Sequence, residues 1–217
     1  MHNDQDRWRA VDEYFVSSLV DEDEALVAAR RSGALSSMPR AEVAPNQGAL
    51  LSLLVRMSGA QRVLEIGTLT GYSTIWLARA AAHVTTLEVD PVNAGLARRN
   101  FAFAGVADRV SLLVGPALET LAGLDGCYDF VFIDADKPNN PHYLRSVMRL
   151  TRPGSVIVAD NVVRDGAVLD ASSADERVQG VRGFLSLVRE DARLSATALQ
   201  TVGSKGWDGF AVVLRLS

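Results

Sequence analysis

Cysteine is almost absent from this chain of 217 residues; Cys127 is the only one. No intrachain disulfide can form, and no cysteine-based zinc centre is available. His2, His83 and His142 show no ligand spacing. No run of about 18 apolar residues occurs, so no membrane-spanning helix is expected. The opening MHNDQDRWRA is polar and holds no apolar signal region, which makes a cytoplasmic protein the expectation. A long basic stretch is also missing. With 22 Lys+Arg against 26 Asp+Glu and a net charge of −4, tight non-specific binding of nucleic acid is disfavoured. Repeats and low-complexity tracts are absent.

What remains is the composition of an ordinary globule, 48% hydrophobic and 22% charged. One domain over 1–217 is the simplest count, with a helical extension over 1–58 and an α/β core over 59–217. Residues 5–32 read as helical, broken at Asp21-Glu22-Asp23-Glu24, an acidic run expected to be a solvated helix start. Residues 33–44 read as a loop, and Pro45 opens a helix to about Met57.

From residue 62 short apolar runs alternate with helical patterns: RVLEIG, VTTLEV, RVSLLVG, YDFVFID and SVIVAD are each followed by a helix, the last over 176–190. Alternation of this kind predicts a doubly wound, mostly parallel sheet. LSATALQTV and GFAVVLRLS flank GSKGWDG and predict an antiparallel C-terminal hairpin at the sheet edge, for seven strands in all. The N-terminal helices are expected to pack over the ligand-binding end.

Ligands in open α/β sheets bind beyond the carboxyl ends of the strands. The first such end reads Glu65-Ile66-Gly67-Thr68-Leu69-Thr70-Gly71-Tyr72-Ser73. Gly67 and Gly71 allow a tight turn and a close backbone approach. Leu69 stands where a dinucleotide fingerprint would place its second glycine, which argues against a nicotinamide-dependent dehydrogenase. About 20 residues further on, where an acid would hold a ribose hydroxyl pair, stands Glu88, while Asp90 before Pro91 is a helix cap.

The fourth strand ends in Asp134-Ala135-Asp136-Lys137 and the fifth in Asp160-Asn161. If the two are parallel neighbours, Asp134, Asp160 and Asn161 converge as an oxygen-only set suited to Mg²⁺ or Ca²⁺. Lys137, three residues after Asp134, can reach the same place. Each residue alone more often belongs to an ordinary loop; two strand ends releasing oxygen ligands together are harder to dismiss. Asp136 is left out of the ligand set.

With these segments in hand, the chain resembles class I S-adenosylmethionine-dependent methyltransferases. More narrowly it resembles the cation-dependent O-methyltransferases typified by the caffeoyl-CoA and catechol enzymes. VAPNQGALLSLL, VLEIGTLTGYSTIWLA, LEVD, YDFVFIDADK and VIVADNVVRDGAV carry the likeness. The resemblance implies a Rossmann-like fold with S-adenosylmethionine as cofactor. Gly67, Leu69 and Ser73 would line its methionine part, with Glu65 at the same turn and Val43 offering backbone contacts. Glu88 would bind the ribose, Ala117 would flank the adenine, and Asp134 would touch the cofactor as well as the metal. Asp134, Asp160 and Asn161 would hold a divalent cation, usually Mg²⁺, with Ca²⁺ or Mn²⁺ as alternatives. Lys137 would be the general base.

The implied reaction is methylation of a phenolic or other vicinal-diol small molecule by a homodimer. Asn140 replaces the aromatic residue of the plant motif D-A-D-K-D-N-Y, and Asp136 replaces a tryptophan of the catechol enzyme, so the substrate pocket does not transfer. The alternative of the same fold is a tRNA hydroxy-nucleoside O-methyltransferase, for which Arg30, Arg31, Arg40, Arg164 and Arg182 would have to surround the pocket. A non-catalytic cofactor-binding module fits the combined Asp134, Lys137, Asp160 and Asn161 set poorly. Trp207, placed in the hairpin turn, is kept out of the site.

Overall fold

Short apolar runs become strands when both their faces are covered. In the computed structural model, which describes residues 4–217, five strands run parallel: β1 (Arg62–Ile66), β2 (His83–Glu88), β3 (Val110–Val114), β4 (Tyr128–Ile133) and β5 (Thr151–Asp160). Strands β6 (Leu194–Gly203) and β7 (Gly206–Arg215) form an antiparallel hairpin whose β7 pairs with β5. The order is β3-β2-β1-β4-β5-β7-β6. The chain winds outward from β1, returns to β4 on the other side of β1 and winds outward again. That reversal opens a crevice beyond the carboxyl ends of β1 and β4.

Eight helices accompany the sheet among the described residues: α1 (Asp4–Leu19), α2 (Glu24–Ser32), α3 (Pro45–Ser58), α4 (Tyr72–Ala78), α5 (Pro91–Phe103), α6 (Ala117–Gly123), α7 (Asn140–Leu150) and α8 (Glu176–Glu190). Successive strand residues face opposite sides. Val63, Val84, Phe130 and Val158 pack with Leu51 and Val55 of α3, Ile75 of α4 and Phe101 of α5. Leu64, Leu87, Val131 and Ile157 pack with Leu121 of α6, Val147 of α7 and Phe184 of α8. Each fully buried side chain of this size contributes roughly 1.5–3 kcal/mol, so both faces help to hold the sheet.

Helix starts follow the capping rules. Asp23 Oδ1 accepts from the Leu26 N–H at 3.0 Å, and Asp90 Oδ1 from the Val92 N–H at 2.7 Å. The acidic run is not all solvated, however. Glu22 turns inward, accepts two hydrogen bonds from the Arg30 guanidinium at 3.0 Å each and one from the Tyr72 hydroxyl at 2.7 Å. Burial of a carboxylate is tolerable there because a cation pairs with it.

The hairpin also departs from expectation. Gly203 pairs with Gly206, so only Ser204 and Lys205 form the loop. Gly206 takes φ +93°, which closes the turn without the longer loop read from GSKGWDG. Trp207 and Asp208 therefore belong to β7. Strand β5 starts at Thr151, earlier than the apolar run, with a register shift opposite Tyr128–Phe130. The 33–44 loop contains a short 3-10 turn over Gly33–Leu35.

The N-terminal helices gather at the carboxyl end of the sheet. Asp160 pairs with Phe210, so the hairpin tip overhangs the ends of the parallel strands. Helix α1 packs on β6, and Asp12 accepts from the Ser204 N–H at 2.7 Å. Helix α2 lies on the glycine turn: the Thr70 hydroxyl donates to the Ala29 carbonyl at 3.2 Å.

Candidate functional site: a crevice at the ends of β1, β2, β4 and β5

Gly67 ends β1 with φ +102°, and a Cβ there would overlap the Asp134 carbonyl. Only glycine lets the ends of β1 and β4 meet this closely. The Gly67 N–H donates to the Leu87 carbonyl at 3.0 Å and the Asp134 N–H to the Ile66 carbonyl at 2.9 Å. Gly67, Asp134 and the end of β2 are thus tied into one floor. Leu69 adopts a left-handed φ of 50°, a strained conformation for a leucine.

Glu88 at the end of β2 holds that turn. Its carboxylate accepts from the Leu69 N–H at 2.7 Å, the Thr68 N–H at 3.3 Å, the Asp90 N–H at 2.9 Å and the Asn93 amide at 3.4 Å. Asp90 caps α5, as its place before Pro91 predicts. Ser73 lies in the first turn of α4, Ala117 opens α6, and Val43 is buried just before α3.

Glu65 lies beneath the turn with no exposure at all. The hydroxyls of Ser73 and Thr86 donate to it at 2.6 Å each, and that of Thr74 also donates. Burial pushes its carboxyl up to about 7; the three hydroxyls oppose the rise.

Asp134 and Asp160 stand side by side, because β4 and β5 are parallel neighbours with Ile133 opposite Ala159. Lys137, 7% exposed, donates to Asp134 Oδ1 at 2.8 Å. Asp160 is also buried, and burial, then the Asp134 charge, pushes its carboxyl up to about 7, while Lys137 and the Asn161 N–H pull the other way. Asn161 takes a left-handed φ of 57° as the chain leaves β5. No group of three His, Cys, Asp or Glu side chains suited to a metal occurs among the described residues.

Asp136 is exposed and accepts from the Tyr143 hydroxyl and from the Asn139 amide at 2.6 Å. It ties the turn after β4 to the start of α7. Three groups at the site escaped the sequence reading. Asn93 supports Glu88, Asp208 holds the loop after β5, and Gly180 lets α8 approach the Lys137 carbonyl, where a Cβ would overlap it. Periodicity within α5 and α8 gives no hint of such contacts; those of Asp208 and Gly180 join segments distant in sequence.

A doubly wound sheet with this topology, a glycine turn and an acid at the end of the second strand define a class I methyltransferase. Comparison with known proteins agrees. A family model described as O-methyltransferase matches residues 16–216. A catechol O-methyltransferase from Mycobacterium tuberculosis is 51% identical over 208 residues, 94% of each chain. The crystal structure of the O-methyltransferase TomG from Streptomyces achromogenes, in complex with SAM, superposes with a TM-score of 0.96 at 45% identity, covering 99% of this chain and 100% of that one. An O-methyltransferase from Bacillus cereus in complex with SAH gives 0.94 at 47% identity, with 97% and 99% covered. The chain belongs to the O-methyltransferase family.

Proposed function

We propose that this chain transfers the methyl group of S-adenosylmethionine to one hydroxyl of a catechol-like vicinal diol held at a divalent cation. The observation that carries this reading is the charge arrangement at the ends of β4 and β5. Two neighbouring carboxylates, one of them buried, face a single ammonium. When both are ionised, one negative charge is left without a partner, and paired carboxylates of this kind call for a cation or a proton.

The donors fit a hard cation. Asp134, Asp160 and Asn161 offer oxygen only, which suits Mg²⁺, with Ca²⁺ or Mn²⁺ as alternatives, and leaves room for the oxygens of a substrate. A bound divalent cation would supply Lewis acidity to a diol hydroxyl. Lys137 accepts the hydroxyl proton on Nζ. The substrate oxyanion then attacks the methyl carbon of the sulfonium; the carbon–sulfur bond breaks and its electron pair stays on sulfur, giving S-adenosylhomocysteine. Gly67, Leu69, Ser73 and Val43 hold the methionine part, Glu88 the ribose and Ala117 the adenine, with Glu65 supporting Ser73 from below. Positioning of the two reactants can supply roughly 7–11 kcal/mol of the barrier reduction.

Relatives of known name support the substrate class, since the Mycobacterium tuberculosis protein is called a catechol O-methyltransferase and TomG was solved with SAM. No observation favours a tRNA substrate. Of the five arginines such a reading needs, Arg30 is engaged with Glu22, Arg164 sits by Asp208, and Arg182 donates to the Val168 carbonyl at 2.6 Å.

Asp160→Ala tests the reading. It is expected to abolish cation-dependent methyl transfer while S-adenosylhomocysteine still binds; wild-type turnover in this variant would overturn the cation site.

A further inference from the structure

The loop that follows β5 is strained, and a distant part of the chain holds it. Asn161, Arg164 and Asp165 all take left-handed backbone conformations, with φ of 57°, 56° and 53°, and Gly166 continues at 83°. Residues with a Cβ rarely adopt this region. Such outliers persist only where the surroundings over-determine them, and they collect at functional sites.

Here the surroundings are the first residues of β7. Asp208 Oδ1 accepts from the Val163 N–H at 3.0 Å, the Arg164 N–H at 3.1 Å and the Gly209 N–H at 3.0 Å. Its Oδ2 lies 3.8 Å from Arg164 Nη1. The next carbonyl, that of Gly209, accepts from the Val162 N–H at 3.0 Å. On the other side the Trp207 ring covers Gly166, where a Cβ would come within 2.8 Å of it, and the Trp207 Nε1 donates to Gln200 at 3.0 Å. Three consecutive residues thus grip 162–166, immediately after Asp160 and Asn161. Without the Asp208 carboxylate the N–H groups of Val163 and Arg164 lose the acceptor that keeps the chain turned.

The geometry points to Asp208 as the positioning residue of the cation site: through the backbone of 162–166 it sets how Asn161 is presented at the end of β5. This inference rests on the cation site proposed above. Asp208 acts through the loop, and outer groups that orient ligands commonly alter metal affinity by 10–100-fold.

The test is Mn²⁺ binding, followed by electron paramagnetic resonance of the free ion, in the full chain. Asp208→Ala is expected to weaken Mn²⁺ binding by about tenfold or more, with S-adenosylhomocysteine affinity unchanged. Asp208→Asn keeps an oxygen at the Oδ1 position and is expected to stay within about threefold of wild type. In an Asn161→Ala background, Asp208→Ala is expected to add little, because its effect passes through Asn161. Wild-type Mn²⁺ affinity in Asp208→Ala, or an equal loss in both backgrounds, would overturn the role of Asp208 alone. If the wild-type chain itself binds no Mn²⁺, the cation site fails and the inference fails with it. Should Asp208→Ala unfold, Asp208→Glu, which keeps the charge but shifts the acceptors by one methylene, carries the same expectation and the same contradiction.

Discussion

Glu65 is shielded from solvent, and three hydroxyls from three positions bond its carboxylate. A buried acid whose folded value is raised gives stability that is complete below its unfolded value and lost as pH rises through the folded one. For Glu65 that window runs from 4.5 to about 7. The melting temperature of the wild type is therefore expected to fall more steeply across this range than that of Glu65→Gln, whose amide does not titrate. Thermal scans at several pH values decide it; equal slopes would contradict the account of Glu65. At this scale the sequence was readable where one residue type does one local job, as with Gly67 at the tight turn or Asp90 at the cap. It was opaque at Asp208 and Asn93. Asp208 reaches N–H groups 45 and 44 positions away, a contact no local pattern announces.

Among the elements, α8 bears most directly on the chemistry. Gly180 faces the 3-10 turn Lys137–Asn139, and a Cβ at this position would overlap the Lys137 carbonyl. Gly180→Ala should push α8 off that turn, costing about 1–3 kcal/mol in stability and lowering kcat as Lys137 shifts. Gly183→Ala on the same helix, where a Cβ would stand 3.0 Å from Pro141 Cγ, is expected to do less on both counts. Calorimetry and initial rates of the two variants compare them; equal effects would contradict the assignment. The strand and helix alternation was legible because apolar periodicity alone carries it. The hairpin turn was misplaced because GSKGWDG is polar and glycine-rich throughout, and only pairing with β6 shows that Trp207 and Asp208 continue the strand. Likewise, the charge run at 21–24 said nothing of Glu22 turning inward, which depends on Arg30 and on Tyr72 fifty residues away.

At the scale of the whole molecule, one surface stands out. Val11, Phe15 and Leu19 form an exposed stripe on α1, with Tyr14 beside it, and the outer strand β6 is exposed along nearly its whole length, its outer edge unpaired among the described residues. Exposed apolar stripes and free strand edges are interaction surfaces, and they support the homodimer that the family resemblance implies. Sedimentation is expected to give twice the chain mass, and Phe15→Asp to shift it toward the single chain; a wild-type monomer would contradict the proposal. The doubly wound architecture could be read from the order of elements, but the helices' gathering around the hairpin tip could not, since it depends on Asp12, Ser204 and the strand register.

The central claim is that oxygen ligands at two neighbouring strand ends make methyl transfer depend on a divalent cation. Transfer from labelled S-adenosylmethionine to a panel of vicinal dihydroxy aromatics, with Mg²⁺ and with chelator, tests it most directly. The account predicts transfer with Mg²⁺ that the chelator removes and that added cation restores; transfer undiminished by the chelator would contradict it.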